Sequence, residues 1–173
     1  DLEYLDCHQN NLSALNITNN TELETLTCSF NKLSELNVVT NTDLTQLALE
    51  NNNILDLDVT NNTELYYLDC SFNDITELDI ANNTDLNNMF CNNNNLSCIQ
   101  VWDINYAENY FIKDDDAIWS LDCEYGIGIE QNLKNKTLLK HTDLLGRLSA
   151  SATKGFTLKM YDDGSVEKKY IIK

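Results

Sequence analysis

The residues of this chain that could perform chemistry are six cysteines, two histidines and a set of carboxylates. The histidines, His8 and His141, lie far apart in the sequence. No G-x-S-x-G, HExxH or phosphate-binding loop motif occurs. The sequence therefore gives no support to a serine hydrolase, a zinc protease or a P-loop nucleotidase.

The best candidates for paired carboxylates are Glu50 and Asp69, which we place on adjacent strands and offset along them. Strand geometry would then separate them by about 8 Å, a distance that suits an inverting glycosidase. A flat open sheet does not desolvate a carboxylate, so we expect neither pKa to be raised. We therefore expect no enzyme activity, and no metal or other cofactor.

Four of the cysteines recur in one register, at Cys7, Cys28, Cys70 and Cys91, with Leu49 in the position between the middle two. No CxxC pair indicates zinc. Equivalent residues in a parallel stack also lack the facing geometry of a disulfide. A position that accepts either Cys or Leu favours an apolar core, where free Cys behaves as a small hydrophobe. We predict four buried free thiols.

The same 21-residue spacing governs the chain from Leu2 to Val101, where the pattern LxxLxCxxNxLxxLxVxxNTxL occurs five times. Within one copy, Leu26 and Cys28 alternate with polar residues, which indicates a strand with one buried face. One such unit cannot bury its own apolar face, but stacked units share a continuous core. The repeat therefore predicts a solenoid in which each copy contributes one strand.

Two asparagine columns accompany the leucines. The first contains Asn10, Asn31, Asn52, Asn73 and Asn94, and the second contains Asn20, Asn41, Asn62 and Asn83. An asparagine amide can both donate to and accept from the backbone of a neighbouring coil. We interpret both columns as hydrogen-bond ladders with no catalytic role.

The pattern resembles the leucine-rich-repeat family in its short bacterial form, over about residues 1–106. The resemblance implies a right-handed solenoid with a parallel β-sheet on its concave face. We assign residues 1–101 to the five repeats, 102–123 to a C-terminal cap, 124–136 to a linker and 137–173 to a β-rich tail. Because the chain opens inside a repeat, we expect earlier repeats or a longer precursor before residue 1.

Cys98 and Cys123 fall outside the cysteine column, and the segment between them is rich in tryptophan, tyrosine and phenylalanine. This segment looks like the cap of such a solenoid, and we predict a Cys98–Cys123 disulfide. A disulfide indicates an oxidising compartment. We expect the aromatic residues to cover the end of the core, and Asp114–Asp116 to form a solvent-exposed turn or helix start.

The formal net charge is −17, and its distribution is uneven. Residues 1–123 contain 22 acids and two bases, whereas residues 124–173 contain six acids and nine bases. A surface this acidic disfavours nucleic acid and anionic lipid as partners. No apolar run approaches the length of a membrane span.

The tail contains three strand-like runs, at 137–144, 156–161 and 166–172, and an Asp-Asp-Gly-Ser turn between the last two. It resembles the C-terminal sorting domain of proteins exported by the bacterial type IX secretion system. The matching motifs supply these expected signal residues: Leu145, Gly146, Arg147, Lys154, Gly155, Asp163, Gly164, Lys168 and Lys169. The resemblance implies contact with the secretion machinery, and a location outside a Gram-negative cell or on its outer membrane. A small β-hairpin cap is the alternative.

Outward side chains of the predicted strands, with the position that follows each strand, define the concave face. Its aromatic rings and hydrogen-bonding groups suit a protein surface or a polysaccharide. The candidate binding residues are Tyr4, Asp6, His8, Phe30, Gln46, Glu50, Tyr67, Asp69, Phe72 and Phe90. Three functions stay open: a protein-binding surface module, a glycan-binding protein that serves polysaccharide uptake or degradation, and a structural spacer without a ligand.

Overall fold

The computed structural model describes residues 1–123, 138–143, 155–161 and 166–171. The chain divides into two compact units, Asp1–Gly126 and Ile127–Lys173. The first unit is a leucine-rich-repeat solenoid of about six turns, which are the five predicted repeats and one further coil. No helix among the described residues is long and apolar enough to cross a membrane.

Each repeat contributes one short strand to a parallel sheet, and the strands pair in register. Leu26, for example, faces Leu47 in the next coil, and Leu47 faces Leu68. The elements of this unit are β1 (Tyr4–Asp6), β2 (Thr25–Thr27), β3 (Gln46–Ala48), β4 (Tyr67–Asp69), β5 (Leu78–Asp79), β6 (Asn88–Phe90), β7 (Cys98–Gln100), α1 (Ile104–Tyr110), β8 (Phe111–Ile112) and β9 (Ile118–Ser120). The order of the six-stranded sheet is β1-β2-β3-β4-β6-β8.

The predicted cap is itself a sixth coil. It supplies β8 to the six-stranded sheet and β9 to a second parallel sheet of order β5-β7-β9. Asp103 begins helix α1, which lies between β7 and β8, since its carboxylate accepts a hydrogen bond from the Tyr106 N–H at 3.1 Å. Phe111 pairs with Met89 of the preceding coil and packs edge-on against Trp119. Aromatic side chains therefore close this end of the core, as expected.

The core runs along the solenoid as stacked columns of fully buried leucines, among them Leu26, Leu47 and Leu68. Replacing any one of these leucines by alanine should lower the unfolding free energy by about 2–5 kcal/mol. The cysteine column lies beside them, and its four members are free thiols. Burial raises the pKa of Cys28 and of Cys91 to about 12. Cys28, Cys70 and Cys91 are buried, as predicted, whereas Cys7 in the first coil is only half-buried. A raised pKa keeps a buried thiol in its protonated, less reactive form.

The first asparagine column joins each coil to the one before it. Asn52 donates from Nδ2 to the carbonyls of Cys28, one coil back, and Leu49, in its own coil, at 3.1 and 3.0 Å. Its Oδ1 accepts the Leu33 N–H at 3.0 Å. Asn62 in the second column donates to two carbonyls of the previous coil. The first column is therefore a ladder that donates and accepts, as predicted. The second column links coils by donation only, because the Oδ1 atoms of Asn41, Asn62 and Asn83 accept no hydrogen bond from the described residues.

Asp114 terminates another row of hydrogen bonds, in which backbone N–H groups of one coil donate to the next coil. In the inner coils the N–H groups of Phe30 and Asn31 donate to backbone carbonyls of the next coil. The equivalent groups of the fifth repeat, Asn93 and Asn94, donate instead to the two carboxylate oxygens of Asp114, at 2.8 and 3.0 Å. Asp114 begins the predicted turn, in which the Ala117 N–H donates to the Asp114 carbonyl at 3.2 Å. It is only half exposed, however, and its carboxylate takes the place of the sixth-coil carbonyls that would otherwise accept these two bonds.

Replacing Asp114 by alanine is expected to lower the unfolding free energy by about 1–3 kcal/mol, because two backbone donors lose a charged acceptor. Urea denaturation followed by circular dichroism measures the change. Asp115→Ala, which removes the neighbouring exposed carboxylate, is the matched control and should leave stability nearly unchanged. Equal losses in the two variants would show that Asp114 has no capping role.

The Cys98–Cys123 disulfide is present, as predicted, with the two Cα atoms 5.9 Å apart. It ties the start of β7 to the chain just after β9. The Cys123 N–H also donates to Gln100 Oε1 at 3.2 Å. The end of the sixth coil is thus held to the fifth by one covalent and one polar link.

The second unit contains three antiparallel strands in the order β10-β11-β12. They are β10 (Leu138–Asp143), β11 (Gly155–Tyr161) and β12 (Val166–Ile171), close to the three predicted runs. Of the expected sorting residues, Gly155 lies in β11, and Lys168 and Lys169 lie in β12. The linker 124–136 and the remaining signal residues, Leu145, Gly146, Arg147, Lys154, Asp163 and Gly164, lie outside the described residues.

Candidate functional site

In-register pairing sorts the outward side chains of the six-stranded sheet into rows. The first residues of the strands form one row, which includes Tyr4, Gln46 and Tyr67. The third residues form the next, which includes Asp6, Ala48, Asp69 and Phe90. The concave face therefore has the layout that the repeat predicts, and the candidate residues separate into three groups upon it.

The central group is a hydrogen-bonded carboxyl pair. Asp69 is only 7% exposed, and its Oδ1 accepts the Ser71 N–H at 3.0 Å and the Ser71 hydroxyl at 2.6 Å. The side chain of Glu50 hydrogen-bonds to Asp69. This bond, with smaller contributions from burial and the Asp69 charge, raises the pKa of Glu50 to about 7. Glu50 therefore holds its proton to a higher pH than an ordinary glutamate does.

Two expectations about this pair were wrong. The carboxyl groups are in hydrogen-bond contact rather than about 8 Å apart, and the pKa of Glu50 is raised. Ala48 faces Asp69 in register, and Glu50 is two residues further along the chain, which makes Glu50 and Asp69 diagonal neighbours. Diagonal neighbours on a sheet lie about 7–8 Å apart at the backbone, but long side chains can close that distance.

The raised pKa predicts a pH dependence of stability. In the unfolded chain the pKa of Glu50 lies near 4.5, so the folded state holds this proton to higher pH. The stability contributed by protonated Glu50 is full below pH 4.5 and is lost as the pH rises through about 7. Between pH 5 and pH 8, the unfolding free energy measured with urea should fall more for the native chain than for Glu50→Gln. For Glu35→Gln, an exposed substitution in another part of the solenoid, the unfolding free energy should fall by as much as for the native chain. Equal falls for the native chain and both variants would contradict the prediction.

An aromatic pair lies beside the carboxyls. The rings of Tyr67 on β4 and Phe90 on β6 lie 6.2 Å apart between centroids, tilted by 53°, and both side chains are half-buried. Burial raises the pKa of Tyr67, and the charges of Asp69 and Glu50 raise it further. The structure thus brings together Glu50, Tyr67, Asp69 and Phe90, with Gln46 in the row of Tyr67 one strand away.

The second group is the row that follows the strands. Its five members, Gln9, Phe30, Asn51, Phe72 and Asn93, all have positive φ angles of 52–57°. Their N–H groups donate to the next coil, as in the bond from Phe72 to the Asn92 carbonyl at 3.0 Å. The turn from strand to ladder asparagine therefore imposes the left-handed conformation. Phe30 and Phe72 are 45% and 50% exposed.

The third group lies on the first coil. His8 Nδ1 is 2.6 Å from Asp6 Oδ1, and the hydrogen bond lowers the pKa of Asp6. Tyr4 on the same strand is 60% exposed. Three strand spacings of about 4.8 Å separate β1 from β4, so these residues form a cluster of their own.

A groove of about 680 Å³ lies on another side of the coils and was not anticipated from the sequence. Leu36, Leu55 and Asp58 line it with neighbouring residues, and it contains none of the candidate residues. Its residues follow the ladder asparagines, on the part of the repeat that forms β5 and β7 further along the chain. Within residues 1–123 and the three described strands of the tail, no group of three or more His, Cys, Asp or Glu side chains is placed to hold a metal ion.

Comparison with known proteins relates the chain to solved structures, whereas no protein family and no curated protein matches it. The functional domain of InlJ from Listeria monocytogenes, described as including a cysteine ladder, is 34% identical with a TM-score of 0.58. The match covers 70% of this chain and 32% of that one. The internalin InlF from the same organism is 26% identical with a TM-score of 0.43, over 58% of this chain and 32% of that one.

This chain thus spans about a third of the length of each of these internalins. The likeness to InlJ agrees with the leucine-rich-repeat solenoid derived from the repeat.

Proposed function

We propose that this protein is a non-catalytic binding module, secreted or displayed at the cell surface, which recognises a protein partner through its concave face. The observation that carries the proposal is the group formed by Tyr67, Phe90, Glu50 and Asp69 on an open sheet. Half-buried aromatic rings beside polar groups are typical of the centres of protein interfaces. The likeness to an internalin domain supports the same function.

The carboxyl pair supports a role in binding rather than catalysis. Inverting glycosidases keep their carboxyl groups about 6.5–9.5 Å apart to admit a water, and retaining enzymes keep them about 5–5.5 Å apart. Glu50 and Asp69 hydrogen-bond directly to each other. A direct hydrogen bond brings the two groups closer together than either catalytic arrangement requires.

The proposed location depends on two features. The Cys98–Cys123 disulfide favours an oxidising compartment outside the cytoplasm. We also propose that the tail directs export by the type IX route, because its motifs resemble that signal and its last strands include Lys168 and Lys169. Mass spectrometry of the C-terminus on intact cells tests this part. Loss of the tail at the surface supports a sorting role, and an intact tail in the cytoplasm contradicts export.

The binding function is tested with the full chain as bait against a cell-surface extract and, in parallel, on a glycan array. Tyr67→Ala with Phe90→Ala removes the aromatic pair. Val39→Ala with Leu55→Ala removes apolar groups from the groove on the other side and is the matched control. A protein captured by the native chain and the control but not by the aromatic double variant supports the proposal. Glycan binding by the native chain and the control, but not by the aromatic double variant, would assign a glycan partner instead. Absence of binding in both assays would support a structural spacer without a ligand.

A further inference from the structure

Phe30 and Phe72 are poorly explained by the stability of their own coils. Both have positive φ angles, 56° and 54°, in a row whose other members are Gln9, Asn51 and Asn93. Asparagine tolerates this conformation, whereas a bulky residue is disfavoured in it. Each phenylalanine is also about half exposed to solvent. Folding alone would therefore favour asparagine at both positions.

The two rings lie on alternate coils along one edge of the sheet. Two strand spacings place them roughly 10 Å apart, with Asn51 in the same row between them. Glu50, the neighbour of Asn51 in sequence, reaches Asp69 across the strands. Phe30 and Phe72 thus lie in the row next to Glu50, one coil before it and one coil after it.

The charge on this face selects the class of partner. Its outward rows contain Asp6, Glu50 and Asp69, and no lysine or arginine occurs in these rows between residues 4 and 112. The first 123 residues as a whole carry 22 acids against two bases. Complementary potentials steer association and reject partners of like charge. A basic partner is therefore favoured.

We propose, as an extension of the proposed protein-binding function, that Phe30 and Phe72 are the apolar anchors of the docking site for a basic protein segment. That segment places apolar groups against the two rings, and a lysine or arginine against Glu50 and Asp69. A cation in that position gains charge-assisted hydrogen bonds and lies next to the rings of Tyr67 and Phe90, where cation–π attraction contributes. Aromatic anchors around a desolvated charge are the usual composition of an interface hot spot.

The test is selection of a phage-displayed library of 12-residue peptides on the immobilised full chain, in 0.15 M salt. The recovered peptides should combine lysine or arginine with large apolar residues. Their affinity should fall by roughly tenfold or more for Phe30→Asn, for Phe72→Asn and for Glu50→Gln with Asp69→Asn. Glu35→Gln with Asp56→Asn removes two acids from the side of the coils that carries the groove. This control should change affinity by less than about twofold, because screened charges far from the docking site contribute little to binding.

The asparagine variants separate binding from folding, because Asn51 and Asn93 already occupy equivalent positions. Phe72→Asn should therefore melt at the same temperature as the native chain or a higher one, while it loses affinity. Recovery of acidic or neutral peptides would overturn the proposal, as would native affinity in both asparagine variants.

The same assay distinguishes this inference from the function on which it rests. Loss of binding in Tyr67→Ala with Phe90→Ala, but not in Phe30→Asn or Phe72→Asn, would keep the concave face as the binding surface and reject the anchors. Absence of any enriched peptide would count against both proposals.

Discussion

Replacing Asn52 by alanine is expected to lower the unfolding free energy by about 3–5 kcal/mol, which is enough to unfold a marginally stable domain. Asn52 is 7% exposed. Its amide donates to the carbonyls of Cys28 and Leu49 and accepts the N–H of Leu33. The substitution leaves these three backbone groups, which belong to two coils, without a hydrogen-bond partner. The small buried space left by the amide cannot hold enough water to satisfy all three.

Urea denaturation followed by circular dichroism measures this change. Asn53→Ala is the matched control, because Asn53 is exposed and its backbone N–H keeps its bond to Leu33. The control should lie within about 0.5 kcal/mol of the native chain. A loss for Asn52→Ala of similar size to the control would contradict the ladder's energetic role. Complete loss of folded signal in Asn52→Ala, with a folded control, would agree with it.

Removing the Cys98–Cys123 disulfide is expected to cost about 3 kcal/mol, since the bond closes a loop whose ends are 25 residues apart. The measured quantity is the melting temperature of the native chain with and without reducing agent, and of Cys98→Ser with Cys123→Ser. The reduced native chain and the double variant should melt at similar, lower temperatures.

The double variant also controls for other effects of the reductant, because its remaining cysteines are Cys7, Cys28, Cys70 and Cys91, which are free thiols. Reductant should therefore leave its melting temperature unchanged. A native chain whose melting temperature is insensitive to reduction would show that the disulfide contributes nothing to holding the sixth coil in place.

The sequence was sufficient to predict most of the fold because a fixed period constrains every coil at once. The positions of Leu26, Leu47 and Leu68 in the pattern determine their burial, and the register of the sheet follows from it. The ladder function of Asn52 follows in the same way, because an amide at a constant position in a stack meets the same backbone groups in each coil.

Features that break the period were not predictable in this way. Asp114 caps the fifth repeat from a segment whose residues no longer align with the pattern. The contact of Glu50 with Asp69 depends on the reach of a flexible side chain between diagonal neighbours, which the repeat pattern does not specify. The left-handed row containing Phe30 leaves a trace in the sequence, as a column in which Asn alternates with Phe or Gln, but that trace alone does not specify a φ angle.

The ladders also have a consequence for how such a molecule can change its length. Their bonds join residues at constant offsets, 19 and 24 in the first column and 21 and 24 in the second. Duplication or deletion of one whole 21-residue unit within the stack preserves each of these pairings, whereas gain or loss of a single residue displaces several of them. Recombination between repeats of the gene can therefore lengthen or shorten the module in steps of one coil, and each product presents a longer or shorter concave face.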